Sequence, residues 1–172
     1  MTLAYETDED LATRPTEQRL PHVLMTIAGA LGLAATFQLT SDTFTQLQNR
    51  AEGVETAFSC DFSAFVSCGG VMSSQQASVF GFENSLLGVI GFSIVLTLGV
   101  LSLAGTKFAR WVWTGLQVGV VFGIGFVTWL QYQSIYELEV LCPYCMVVWV
   151  VTIPLFVHVS AYNLRSVPRA AR

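Results

Sequence analysis

Four stretches of this chain contain no Asp, Glu, Lys or Arg: 22–40, 84–106, 111–136 and 140–164. A hydrocarbon layer about 30 Å thick takes about 20 mostly apolar residues in helical form, and each stretch meets that length once tilt is allowed. Water is absent there, so a single apolar segment satisfies its backbone groups only as a helix. Only 12% of the 172 residues are charged, about half the share of an average soluble domain. Too few polar residues remain to coat four buried helices in water. The expected fold class is therefore an all-α integral membrane protein, a four-transmembrane-helix bundle.

In that scheme residues 1–20 form an acidic tail and 21–164 the transmembrane domain, with a long outer loop at 41–83 and a basic tail at 165–172. Cytoplasmic loops collect Lys and Arg. With the N-terminus inside and four crossings, Arg14, Arg19, Lys107, Arg110, Arg165, Arg169 and Arg172 fall on the inner face, and only Arg50 lies outside. Both termini are thus expected in the cytoplasm, in a multi-pass protein of the cell membrane. Trp111 and Trp113 at one end of the third stretch, and Trp129, Tyr132 and Tyr136 at its other end, suit the interfacial aromatic belts, as does Tyr162 near the end of the fourth. A cleavable signal peptide fits poorly: Ala28-Gly29-Ala30 lies mid-run, behind an acidic tail. The net charge of −4 and the absence of a basic run exclude a nucleic-acid surface.

All four cysteines, Cys60, Cys68, Cys142 and Cys145, then fall on the outer side or at its boundary, where disulfides persist. Four cysteines allow three connectivities; the economical one joins Cys60 to Cys68 and Cys142 to Cys145. A ring as small as Cys142-Pro143-Tyr144-Cys145 removes little chain entropy, so the spacing suits reversible opening better than bracing. Cys60–Cys68 taken alone is as compatible with a structural clip. Zinc on four thiolates is the rival reading, but the gap between Cys60 and Cys68 is longer than usual ligand spacing. Pro143 fits a first helical turn. Cys142 then sits near the N-cap, where the positive helix end favours thiolate. Cys145 lies about one turn deeper, so one thiol is near water and the other near lipid, an arrangement for passing electrons to an acceptor dissolved in the bilayer.

Loop 41–83 is long for a connection and so is expected to be functional or structured. Gly69-Gly70 is expected to let the Cys68 thiol swing. Residues 75–82 are expected to form a short interfacial helix capped by Ser73 or Ser74. Asn84 reads equally as a helix N-cap or a pocket residue, and Ser74 more readily as a cap. His158 lies about 20 Å along the helix from Cys145 and is expected to pack between helices. Pro154 is expected to kink the last helix, and Gly115, Gly119, Gly123 and Gly125 to allow close helix packing.

Cys60-x7-Cys68, Ser74, Asn84-Ser85-Leu86-Leu87-Gly88 and Cys142-Pro143-Tyr144-Cys145, in this order, resemble the vitamin K epoxide reductase family, most of all its actinobacterial-type members without a fused thioredoxin domain. The resemblance runs over about residues 21–164. It implies that Cys60 faces a protein partner, that Cys68 exchanges with Cys142, and that Cys145 stands beside a quinone ring. Ser74 and Asn84 match polar residues of the quinone pocket, Asn84 as donor to a quinone oxygen. Trp149 stands where the vertebrate enzymes carry tyrosine. An indole donates a hydrogen bond but exchanges no proton, so plain quinone reduction is favoured over epoxide reduction. A related quinone-linked family of the DsbB type places its Cys-x-x-Cys first in the chain rather than last.

The expected function is thus a membrane thiol–disulfide oxidoreductase. It reoxidises an extracytoplasmic thioredoxin-fold partner of the DsbA type and passes electrons through two cysteine pairs to a membrane quinone, menaquinone or similar, without metal. The alternatives are a vitamin K quinone or epoxide reductase proper, and a non-catalytic scaffold braced by disulfides.

Overall fold

The computed structural model describes residues 8–54, 60–61, 63 and 65–170, with side chains between Leu20 and Leu164. Among the described residues five α-helices follow one another: α1 (Asp8–Glu52), α2 (Cys68–Met72), α3 (Asn84–Leu103), α4 (Arg110–Tyr136) and α5 (Pro143–Ala170), with one 3-10 turn at Gln75–Ser78. No strand occurs among the described residues, only two isolated bridges. Four helices among the described residues are long and apolar enough to cross a membrane: Leu20–Glu52 within α1, Asn84–Leu103, Arg110–Tyr136 and Pro143–Leu164. The chain is an all-α membrane bundle.

The helix boundaries depart from expectation at three places. α1 does not stop near residue 40; it holds 45 residues, ~68 Å at 1.5 Å each, and so overruns the bilayer. Between Thr40 and Glu52 there is no Gly or Pro to end it. Thr36, Thr40 and Thr43 satisfy their buried hydroxyls on the carbonyls of Gly32, Thr36 and Leu39 within the same helix. The helix ends at Gly53 (φ 71°), with Val54 N–H on the Asn49 carbonyl and Gly53 N–H on that of Arg50. This is the left-handed glycine cap that a β-carbon would strain. α3 ends the same way at Gly105 (φ 89°), three residues before the charge-free stretch does. α5 begins at Pro143 rather than 140, because the Leu141 backbone is engaged by the outer loop. The N-terminal tail is helical from Asp8; residues 1–7 and 171–172, and the side chains of Arg14, Arg19, Arg165 and Arg169, lie outside the described residues.

α1 is the central helix. It packs along α3 on one side and α5 on the other, while α4 packs on α5. The α1–α3 seam is close because of glycines. A β-carbon on Gly29 would stand 2.7 Å from the Leu96 backbone nitrogen, and one on Gly99 2.8 Å from Thr26 Oγ1. Met25 and Val159 are fully buried at the heart of a core shared with Phe92, Val95, Trp113, Leu116 and Leu155. Towards the end of the bundle away from the cysteines, Asn163 Nδ2 donates to the Trp113 carbonyl (3.1 Å) and to Gln117 Oε1 (3.2 Å), and Gln117 donates to Ser160 (2.9 Å), tying α4 to α5. Outward-facing Ile27, Leu31, Val118, Val150 and Val157 are exposed, as a lipid-facing surface requires.

The α4 glycines do not allow close packing as expected. A β-carbon on Gly115, Gly119, Gly123 or Gly125 meets nothing within 4 Å, because α3 and α4 do not pack against each other and a cleft lies between them. Gly29→Ala is therefore expected to lower stability by ~1–3 kcal/mol through overpacking. Gly119→Ala is expected to be neutral or to stabilise by up to ~1 kcal/mol through helix propensity. Thermal unfolding of the two variants in one detergent checks the contrast.

Candidate functional site

Two backbone hydrogen bonds dock the outer loop onto the start of α5: Leu141 N–H to the Phe65 carbonyl (2.8 Å) and Ser67 N–H to the Leu141 carbonyl (3.1 Å). Ser67 caps α2, its hydroxyl accepting from Gly70 N–H at 3.1 Å. Gly69 and Gly70 form the first turn of α2 and are no swinging hinge; a β-carbon on Gly70 would meet Val140 at 3.3 Å. The interfacial helix expected over 75–82 is reduced to the 3-10 turn Gln75–Ser78, after which Gly81 (φ 82°) reverses the chain. Phe80, just ahead of that glycine, packs its ring at a tilt of 49° against Phe126 of α4, ring centres 5.6 Å apart.

The docking gathers the sulfurs. Cys60 and Cys68 are joined (S–S 2.07 Å), while Cys142 and Cys145 are free thiols rather than the second expected disulfide. With two cysteines bonded, at most two thiols remain for zinc, half of a structural tetrahedral set. Cys142 Sγ stands 3.6 Å from Cys68 Sγ. Cys60, Cys68 and Cys142 are buried at 3%, 0% and 1% exposure, in a cluster with Met72. Cys60, expected to face a partner, is thus covered in this state, and the segment must move before another protein reaches it.

Cys142 directly precedes α5, and its carbonyl accepts the first helical bond, from Met146 N–H at 3.1 Å. A hydrogen bond from the Cys145 thiol, joined by the backbone N–H groups of Cys145 and Tyr144, holds the Cys142 thiol below its ordinary range, against burial and the Asp42 carboxylate. The helix start thereby stabilises the form that attacks disulfides.

Cys145 opens onto the α3–α4 cleft, about 630 Å³ in volume and within the range of small-molecule sites. Polar groups gather at the cysteine end: Ser74, Glu83, Asn84, Ser85, Gln131 and Ser134. Further along, the walls are apolar: Ile90, Ile94, Leu98, Phe122 and the bare backbone of Gly115, Gly119 and Gly123. Burial raises the Glu83 carboxyl above its ordinary range. Asn84 is the first residue of α3 and not its cap, which is Glu83. Its Nδ2 donates to the Gln76 carbonyl (2.6 Å), and its buried Oδ1 has no partner. The free group at that position is thus an acceptor rather than the expected donor. Ser74 occupies the N-cap position of the 3-10 turn without a side-chain cap bond, its hydroxyl donating instead to the Val71 carbonyl (2.7 Å).

Trp149 is not brought to the cleft. Its Nε1 donates to Thr128 Oγ1 (3.4 Å), while Val148 and Thr152 of the same helix line the wall. Sequence reasoning missed Ser85, whose hydroxyl is buried without a partner in the cleft wall beside Asn84. Its adjacency to Asn84 was visible, but which face of α3 would be buried was not.

The profile of the vitamin K epoxide reductase family matches residues 23–160. The chain belongs to this family. No curated protein matches it. As a family member it is an oxidoreductase of the membrane, of a family that works on thiols and quinones.

The Cys142 environment makes one testable statement. In a Cys60→Ala/Cys68→Ala background, iodoacetamide labelling of Cys142 is expected to rise with a midpoint below that of an ordinary thiol. Adding Cys145→Ala, which removes the hydrogen-bond donor, is expected to move the midpoint to higher pH. Labelling rates at graded pH, read by mass spectrometry, check the shift.

Proposed function

We propose that this protein reoxidises a reduced thioredoxin-fold partner of the DsbA type on the extracytoplasmic side and hands the electrons to a membrane quinone, menaquinone or similar. The observation that carries this reading is a continuous line of sulfur. Cys60 is bonded to Cys68, Cys68 lies 3.6 Å from Cys142, and Cys145 lies in a lipid-side cleft with two orphaned polar atoms. A flat ring with two oxygens fits there: the Ser85 hydroxyl donates to a quinone carbonyl, and Asn84 Oδ1 accepts from the O–H of the reduced ring. The apolar, glycine-floored remainder suits a hydrocarbon tail. The basic-residue bias of the loops supports the sidedness.

In the proposed cycle a partner thiolate attacks Cys60, breaking Cys60–Cys68 and releasing Cys68 as thiolate. Cys68 attacks Cys142 of an oxidised Cys142–Cys145 pair, and Cys145 leaves as thiolate. The partner's second thiol resolves the mixed disulfide at Cys60, which then attacks Cys68, re-forming Cys60–Cys68 and freeing Cys142. Two electrons now rest on Cys142 and Cys145, the redox state of this structure. Transfer of these electrons with two protons to quinone yields hydroquinone and closes Cys142–Cys145. Each exchange runs from thiolate to disulfide, and the burial of Cys60 requires the outer loop to open once per cycle. With Trp149 turned to Thr128, no group at that position serves epoxide chemistry, which favours simple quinone reduction.

Purified protein given a reduced thioredoxin-fold donor is expected to reduce a soluble quinone, and Cys142→Ala to abolish it; unchanged turnover in that variant removes the motif from the mechanism. Cys145→Ser leaves Cys142 without its pair, and its thiolate is expected to attack Cys68 of the Cys60–Cys68 disulfide, 3.6 Å away, with Cys60 leaving as thiolate; the resulting Cys68–Cys142 bridge is read by non-reducing peptide mapping, whereas a Cys60–Cys142 bridge reverses the order of the relay. Ser85→Ala is expected to raise the quinone KM roughly fivefold, the worth of one neutral hydrogen bond of ~1 kcal/mol, with little change in the thiol exchange steps.

A further inference from the structure

Next to the sulfurs lies a carboxylate that this cycle does not use. Asp61 directly follows Cys60, and a single oxygen, Oδ1, accepts from Ser67 Oγ (2.7 Å), Cys68 N–H (2.9 Å) and Gly69 N–H (3.2 Å). Ser67 Oγ accepts in turn from Gly70 N–H. The amides at the start of α2, which a helix leaves without internal partners, are thereby taken up by one charged acceptor and its neighbour. Such charge-assisted bonds are stronger than neutral ones. The chain between positions 60 and 68 is thus closed twice. A disulfide closes it covalently across a separation of 8 residues, and the Asp61 carboxylate closes it again one position further in.

The second closure is redundant while the disulfide is intact and matters once it opens. Resting on the relay described above, we propose that Asp61 is a positioning residue: it holds Cys68 against Cys142 during the interval when Cys60 is bonded to another protein. Breaking Cys60–Cys68 returns loop freedom to the segment. A carboxylate on the Cys68 amide itself keeps that residue's Cα, and hence the reach of its thiolate, where the intact loop had it. In this role Asp61 acts through the backbone of Cys68.

The test removes Cys60 and asks how well Cys68 still finds Cys142. In a full-length Cys60→Ala/Cys145→Ala protein in detergent, graded mixtures of oxidised and reduced glutathione form the Cys68–Cys142 disulfide, one oxidised glutathione giving two reduced ones per bond made. The midpoint gives the effective concentration of one thiol at the other. Adding Asp61→Ala is expected to lower that concentration at least about tenfold, in line with the loss of hydrogen bonds to a charged group. Asp61→Asn retains an Oδ1 acceptor and is expected to recover it to within about threefold of the parent, as a neutral bond allows. An Asp61→Ala midpoint equal to the parent's overturns the proposal, and so does an Asn variant no better than the Ala one. Should Asp61→Ala fail to fold, Ser67→Ala, which removes one of the three donors, is expected to give an intermediate loss, and no loss overturns the proposal. The titration uses neither quinone nor partner, so its failure is separate from failure of the turnover assay above.

Discussion

The redox end of this molecule depends on two backbone hydrogen bonds made by Leu141, to Phe65 and to Ser67. They pair the outer loop with the residue just ahead of Cys142 and so set Cys68 over it. They also take the Leu141 backbone out of helical use, which is why α5 begins at Pro143 and why Cys142 falls at the helix mouth. Slipping this pairing by one residue turns every side chain in it to the opposite face, and the sulfurs part company. Thiolate stabilisation at Cys142, the 3.6 Å contact with Cys68 and the exposure of Cys145 to the cleft all follow from this junction.

The bilayer shapes the rest. Helices in lipid gain little from burying apolar faces, so close packing has to come from small residues. The chain spends them unevenly. Gly29, Gly32, Gly88 and Gly99 draw α1 and α3 together, while the α4 glycines leave space unfilled. One seam is tight and the opposite one is open, and the open one runs from the lipid-facing flank to Cys145. The long α1 serves both ends, as the spine of the tight seam and, beyond Thr40, as the floor beneath the outer loop, where Thr43 and Gln46 are buried.

Much of this was legible in the residues. Four charge-free stretches in a chain so poor in charge leave no soluble alternative, and their helices appear within a few residues, except that α1 runs on. Cysteine spacing and Pro143 marked the site and its helix start, and the family resemblance, which residues 23–160 bear out, named the chemistry. Where the reading failed, the missing information was spatial. Gly69-Gly70 looked mobile because adjacent glycines relax the backbone, yet Ser67 and Asp61 hold them in a helix turn. Gly115, Gly119 and Gly123 looked like a packing seam because small residues at that spacing usually are one. Trp149 looked like a pocket residue by its place in the motif, but lies just round the helix from the face that Val148 and Thr152 present.

The sequence by itself determined that this chain crosses a membrane as four helices and carries a redox motif where one of them begins. Chain-local quantities suffice for that: hydrophobic length, charge count and the fixed φ of one proline. Only the tertiary structure decided that Cys68 lies beside Cys142, that the cleft opens between α3 and α4, that Ser85 joins Asn84 in its wall, and that Asp61 closes the outer loop a second time. Those are contacts between segments tens of residues apart. Their register is set by which backbone groups find partners and which helix faces meet, and no local propensity encodes it.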